Sequence, residues 1–382
     1  MTEMQDSAEQ TAARSALEAL FAECVRLDAS DLHIAPNLPP YFRTHGMLAP
    51  AQREAIPTSL VEEFARIIVT ASAAPALHTV GSVDGAFSAA DGTRFRFNVF
   101  RRQGTLAIAL RRLDDRFRTL GELGIPEHLY QLCRLPDGLV VVCGPTGAGK
   151  STTLASLLDR INQSRQCHIV TIEDPIEYIH VPVRSLINQR QVGPDAPTFN
   201  DALVASLRQD PDVILVGEIR DLPTFRTAIT AAETGHLVFT TVHAGDCVGA
   251  IERLVSVFPA DEQTGIRRQL SLVLRAVVAQ HLLIADGPSA GAAEGNRRSR
   301  VAAIEILTIT PPVANMIAIG KSPQIYSAME TGAAQGMQTL EYDLARLLVA
   351  GLISEIAAFT LARHPSIVRD RAALLRKQGR RA

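Results

Sequence analysis

The sequence predicts an α/β protein in which a small α+β domain precedes a nucleotide-binding domain built on a mostly parallel, doubly wound sheet, with a helical region at the carboxyl end. Three observations carry that prediction. Apolar strand-like runs alternate with helical periodicity from about residue 120 to 310. A complete phosphate-binding loop joins one of those strands to one of those helices. The 382 residues also exceed the roughly 250–300 at which a single core stops growing.

Composition narrows the function classes. A hydrophobic content of 47% with 20% charged residues describes a globular chain, and a formal net charge of −2 argues against a broad nucleic-acid footprint. Cys24, Cys133, Cys143, Cys167 and Cys247 are odd in number and never form a C-x-x-C pair, so neither zinc nor a disulfide framework is expected. Nothing near Met1 has the pattern of a signal peptide. The longest apolar-rich stretch, 270–284, is broken by Arg275, Gln280 and His281, so the expectation is a cytoplasmic protein that does not insert into membranes.

In chain order, residues 1–14 are polar and read as a flexible terminus. Leu17, Leu20, Phe21, Cys24 and Val25 then share one helical face, and 31–34 reads as a short strand. Pro36, Pro39 and Pro40 mark a turn before extended Tyr41-Phe42-Arg43. A second helix at 59–71 points Leu60, Phe64, Ile67 and Ile68 inward. Strands about Phe87 and at 95–99 turn at Asp91-Gly92, and another strand runs through 106–113. Residues 15–113 thus form the α+β domain, with a charged linker at 114–119.

Core strands are predicted at 139–143, 168–172, 213–216, 237–241 and 301–306, within a domain spanning 120–310. A loop rich in Gly, Ala, Ser and Arg, 286–300, separates the last helix of this set from the last strand. Residues 311–362 turn helical, with Thr339 as a cap and Gly351 as a stop. Residues 363–382 read as a basic, solvated tail, with a contact to acidic groups as the other reading.

The chemistry centres on Gly144-Pro145-Thr146-Gly147-Ala148-Gly149-Lys150-Ser151, followed by Thr152. The glycines let backbone amides approach phosphate oxygens, and the new helix adds its positive end to the same place. Lys150 can reach the β- and γ-phosphates of ATP. The Ser151 hydroxyl suits Mg²⁺, which prefers oxygen ligands and keeps some of its waters.

Two acidic segments follow. Glu173, Asp174 and Glu177 lie past the end of a predicted strand, where carboxylates face the ligand crevice of an open α/β sheet. Glu173 can polarise an attacking water, with Asp174 and Glu177 holding geometry or metal-bound water; the alternative is a solvated acidic turn. Glu218 follows the apolar run Val213-Ile214-Leu215-Val216 and is the candidate that organises Mg²⁺. His236 and His243 flank the next strand. A lone histidine is more often structural, but the order strand, acid, strand, acid, strand, histidine brings His243 near the γ-phosphate as a sensor.

These segments, with Ala29-Ser30-Asp31-Leu32-His33 and Gly336-Met337-Gln338-Thr339-Leu340, resemble the secretion ATPases of the type II/type IV superfamily, most closely the PilT-like pilus retraction ATPases of twitching motility. The matches run in family order from about residue 15 to 360. The resemblance implies a PAS-like amino-terminal domain on a RecA-like core, assembled as a homo-hexamer that acts on an inner-membrane platform protein of a pilus or secretion system. A paralogous ATPase is a possible further partner, no nucleic acid is expected, and membrane association is peripheral, through partners. It further implies that Lys150 and Ser151 bind phosphates and Mg²⁺, that Glu173 is the catalytic base, that Glu218 serves Mg²⁺, and that Arg96 and Arg111 act as charge-neutralising fingers as ATP hydrolysis drives domain rotation. The chain departs from the retraction ATPases at Val313-Ala314-Asn315-Met316-Ile317-Ala318-Ile319-Gly320, where they resemble one another in Ala-Ile-Arg-Asn-Leu-Ile-Arg-Glu. It carries no tetracysteine module, and the extra amino-terminal domain of the export ATPases is not expected. A non-catalytic or weakly catalytic accessory ring partner is the alternative from the family, and a RecA-like DNA translocase the alternative from loop and sheet.

Overall fold

The structure, a computed structural model, describes residues 2–44, 46–71, 73–113, 116–286 and 300–379, without the side chains of 2–9 and 379. The chain divides into two compact units, Met1–Arg116 with Asp174–Ile179, and Phe117–Glu173 with His180–Ala382.

The first unit comprises α1 (Thr2–Arg26), β1 (Asp31–Ile34), β2 (Tyr41–Thr44), β3 (Met47–Pro50), α2 (Thr58–Ile68), α3 (Ala76–Thr79), β4 (Ser82–Ser88), β5 (Arg94–Arg102) and β6 (Thr105–Arg112). Its antiparallel sheet has the order β3-β2-β1-β6-β5-β4. The spacing of Leu17, Leu20, Phe21 and Cys24 buries one stripe of α1 against Phe95, Phe97 and Val99, and Phe21 stacks on Phe95 at 4.5 Å. That helix starts at Thr2 rather than near residue 15, and Ala13 extends its buried stripe. β3 was not legible, because all four of its residues are exposed and no alternation betrays an edge strand. Arg94 donates to the carbonyls of Ile176 (2.6 Å) and Glu177 (2.9 Å), so residues 174–179 pack within this unit. Residues 114 and 115 of the expected linker lie outside the described residues.

The second unit holds β7 (Gly138–Cys143), α4 (Lys150–Ser164), β8 (His168–Glu173), β9 (Leu186–Gln191), α5 (Phe199–Ser206), β10 (Val213–Val216), α6 (Leu222–Glu233), β11 (Leu237–Val242), α7 (Cys247–Ser256), α8 (Gln263–Val273), β12 (Leu274–Ile284) and β13 (Arg300–Thr308). The sheet order is β13-β12-β7-β11-β10-β8-β9, parallel throughout except for the β12/β13 pair. Every residue of β7, β10 and β11 is buried, as continuous apolar runs in a covered parallel sheet must be. The residues before the expected 286–300 loop are strand, not helix. A buried apolar run carries no period that separates the two, and β12 is settled by its pairing with β7. Residues 287–299 of that loop lie outside the described residues.

Among the described residues five further α-helices follow: α9 (Pro311–Ala318), α10 (Ile325–Thr331), α11 (Leu340–Val349), α12 (Glu355–Leu361) and α13 (Pro365–Gly379). Thr339 caps α11 by accepting from the Tyr342 amide, and Gly351 takes φ 69° just beyond it. The solvated tail expected at 363–382 is corrected: most of it is α13, which buries Val368 and Ala372 with Leu344 and Leu347 of α11 and Ala358 of α12. Leu375, one helical turn further on, packs against the same cluster, so an apolar stripe at helical spacing docks a helix that is otherwise rich in arginine.

Arg363, at the start of that segment, pairs with buried Glu305 (3.2 Å) and with Asp246 (3.0 Å), the cap of α7. Glu305 also accepts from the Cys247 amide at 2.9 Å. Burial raises the Glu305 carboxyl above its ordinary range, against the lowering effect of Arg363. A carboxyl with a raised folded pKa contributes most to stability at low pH, and that contribution is lost as pH rises through the folded value. Arg363→Ala removes the opposing charge and is expected to cost roughly 3 kcal/mol where Glu305 is ionised, a cost that shrinks from neutral toward acid pH as the carboxyl is protonated. Thermal melts of both proteins across that range check it, and parallel pH curves would contradict it.

Candidate active site

β7 runs into Gly144 and α4 begins at Lys150, so the loop between them is held by a buried strand on one side and a helix on the other. Gly144 and Gly149 have φ of 153° and 87°. A Cβ at Gly144 would lie 2.3 Å from the Gln280 carbonyl oxygen, and one at Gly149 2.8 Å from Gln280 Nε2. Glycine is therefore demanded by packing as well as by dihedral angle. Ala148 is buried, whereas Pro145, Thr146, Gly147 and Ser151 are exposed and Thr152 is half-buried. The Lys150 ammonium donates to the carbonyls of Gly144 (3.0 Å) and Pro145 (3.1 Å).

Because β7, β8, β10 and β11 are parallel, their carboxyl ends share one edge of the sheet, and β10 lies between β11 and β8. The loop, Glu173, Glu218 and His243 all come from that edge, the usual ligand crevice of such sheets. Glu173 ends β8, and its Oε1 accepts from the Thr171 hydroxyl at 2.7 Å and the Gln189 amide at 3.3 Å. Gly217 brings the next strand end close: a Cβ there would sit 3.2 Å from the Ile172 oxygen and 3.5 Å from Glu173 Cα. Glu218 Oε2 accepts from Arg220 at 2.9 Å, and its Oε1 lies 3.2 Å from His243 Nε2. Burial raises the Glu218 pKa, but the hydrogen bond and charge of Arg220, with the charges of His243 and Lys150, outweigh it, so the carboxyl titrates below its ordinary range and is ionised at neutral pH.

Other candidates lie elsewhere. His236 is at the amino end of β11, the opposite edge, where its Nδ1 bonds the Ala231 carbonyl (2.9 Å) and the Thr234 hydroxyl (3.2 Å) and closes the α6–β11 turn. Asp174 and Glu177 follow Glu173 in sequence but pack with the first unit. Arg96 and Arg111 face each other across β5 and β6 of that unit. Arg111 donates to Asp31 at 2.8 Å, and Arg43 lies 3.5 Å from the other oxygen of that carboxylate.

Gln280, Thr153 and Gln189 escaped the sequence reading. Gln280 had a signal, being an uncharged polar residue inside an apolar run, but it was read only as an interruption. Gln189 lies on a half-polar strand, β9, that no alternation marked. No group of three or more His, Cys, Asp or Glu that could hold a metal occurs among the described residues.

The family model for the type II/IV secretion system protein matches residues 6–338. The type IV pilus retraction ATPase PilT of Pseudomonas aeruginosa is 40% identical over 346 residues, which cover 91% of this chain and 98% of the relative. The type IV pilus ATPase PilU of the same organism is 36% identical over 338 residues, covering 88% and 86%. The crystal structure of the pilus retraction motor PilT with bound ADP superimposes with a TM-score of 0.83 at 39% identity, covering 91% of this chain and 97% of the other.

Proposed function

The chain belongs to the type II/IV secretion system protein family, and from that premise we propose that it is a Mg²⁺-dependent ATP hydrolase working as a homo-hexameric motor on a type IV pilus or a related secretion machine. The observation that carries the reading is the meeting, at one edge of a parallel sheet, of a complete phosphate loop, an anchored carboxylate in Glu173 and an ionised carboxylate in Glu218 beside His243. ADP bound to the retraction motor PilT supports a nucleotide at the equivalent loop.

In this reading Gly144 to Thr152 cradle the phosphates and Lys150 neutralises their charge. Glu173 takes the proton of the attacking water, and His243 reports the state of the γ-phosphate to Glu218. Ser151 and Glu218 would hold Mg²⁺: both offer hard oxygen, and two protein ligands suit an ion that keeps most of its waters. When bound, the ion supplies charge neutralisation on the phosphate oxygens. Arg111 has a side chain 69% exposed despite its pairing with Asp31, and with Arg96 it is the proposed source of positive charge from the first unit. No helix among the described residues is long and apolar enough to cross a membrane. By the family resemblance, the motor is proposed to work from the cytoplasmic face through an inner-membrane platform protein.

A second reading, an accessory ring partner of another pilus motor, is consistent with the 36% identity to PilU and with segment 313–320, which forms most of α9 without the arginines and glutamate by which the retraction ATPases resemble one another. Mg²⁺-ATP turnover by the purified chain, measured with its mass in solution, separates the two. A hexamer that hydrolyses ATP alone supports the motor; a ring that binds ATP and never turns over supports the partner.

A further inference from the structure

Gln280 touches both ends of the phosphate loop. It follows Ala279, which is in register with Cys143, so its backbone runs alongside Gly144. Its carbonyl oxygen fills the space a side chain on Gly144 would need, 2.3 Å from such a Cβ. Its side chain reaches the other end: Oε1 accepts from the Thr153 hydroxyl at 2.7 Å, and Nε2 occupies the place of a Gly149 Cβ at 2.8 Å. The Thr153 hydroxyl also lies 3.3 Å from the Gly149 carbonyl. Gln280 is 3% exposed and Thr153 1%, so water does not substitute for either partner. The adjacent His281 bonds the Gly245 carbonyl at 2.8 Å, in the loop that follows His243.

We infer that Gln280 is a positioning residue for the phosphates of a nucleoside triphosphate, fixing the span between Gly144 and Gly149 before the ligand arrives. This rests on the nucleotide-binding reading above. Backbone amides bind phosphate well only when the loop already holds the bound shape, because ordering it on binding subtracts from affinity. The main-chain carbonyl of residue 280 backs the first glycine whatever its side chain; the glutamine adds the second contact, its side-chain amide fixing the first turn of α4. The same strand end, through His281, holds the loop after His243, so the two halves of the site share one support.

The test compares wild type, Gln280→Leu, Gln280→Glu, Thr153→Val and the Gln280→Leu/Thr153→Val double variant by titration with a fluorescent ATP analogue, by steady-state turnover and by thermal melting. Gln280→Leu is expected to raise both Kd and KM about tenfold, the scale of one lost buried hydrogen bond, with kcat changed less than about twofold. Thr153→Val should do the same, and the double variant should be no weaker than the worse single, since both act through one bond. Gln280→Glu keeps the acceptor for Thr153 while its buried carboxyl is protonated, so its affinity should approach wild type as pH falls and weaken as pH rises and the carboxylate charges beside the phosphates. A folded Gln280→Leu protein with wild-type affinity, or additive effects in the double variant, overturns the inference. Should Gln280→Leu fail to fold, Thr153→Val decides alone: unchanged affinity overturns it. Failure of the wild type to bind the analogue removes the nucleotide-binding reading itself, and this inference with it; wild-type binding with indifferent variants removes only the inference.

Discussion

Lys150→Ala is expected to lower ATP turnover by roughly 10²–10³-fold, the loss seen when one preorganised donor to developing charge is removed. The argument begins with position. Lys150 is the first residue of α4 and is a buried residue whose ammonium is held by two loop carbonyls. That geometry keeps a full positive charge inside the loop, where the shortage of water strengthens its pull on phosphate. Turnover and ATP affinity should fall together, because the contact is made to phosphates in both ground and transition states. A coupled ATPase assay with a binding titration checks this, and retention of more than about a tenth of the activity would contradict the phosphate role.

How much of this was legible depended on whether the signal was local. The phosphate loop is a contiguous pattern whose flanks must be strand and helix, and β7 and α4 are where that pattern requires them. Glu173 and Glu218 were legible because an apolar run followed by an acid marks a strand end. Their convergence was expected from the order of strands, acids and histidine, but the sheet order that produces it, with β10 between β8 and β11, was not legible in the chain. β12 was misread because a run buried on both faces has no period, and the cost was Gln280, whose partners are distant in sequence. α13 was taken for a tail because composition outweighed the spacing of Val368 and Ala372. His236 was grouped with His243 by nearness in sequence, yet a strand separates its two ends by its whole length, so the two histidines serve opposite edges.

Glu173→Gln is expected to lower turnover by roughly 10²–10⁴-fold, the usual contribution of a positioned general base. Binding of ATP should stay within about threefold of wild type, because no contact to the ground-state phosphates is assigned to this side chain. The substitution keeps the two described hydrogen bonds: a glutamine amide oxygen still accepts from the Thr171 hydroxyl and the Gln189 amide, while the side chain loses its charge and its basicity. The comparison with Glu218→Gln assigns the two acids. Glu218 sits among Arg220, His243 and Lys150, which hold it ionised and make it a poor base. That variant should need more Mg²⁺ for half-maximal activity, whereas Glu173→Gln should show an unchanged Mg²⁺ requirement at a much lower rate. Turnover against Mg²⁺ concentration, with ATP binding measured on both variants, checks the assignment. If Glu218→Gln instead gives the protein that binds ATP, needs no extra metal and does not turn over, the roles exchange and Glu173 becomes the residue that organises the ion.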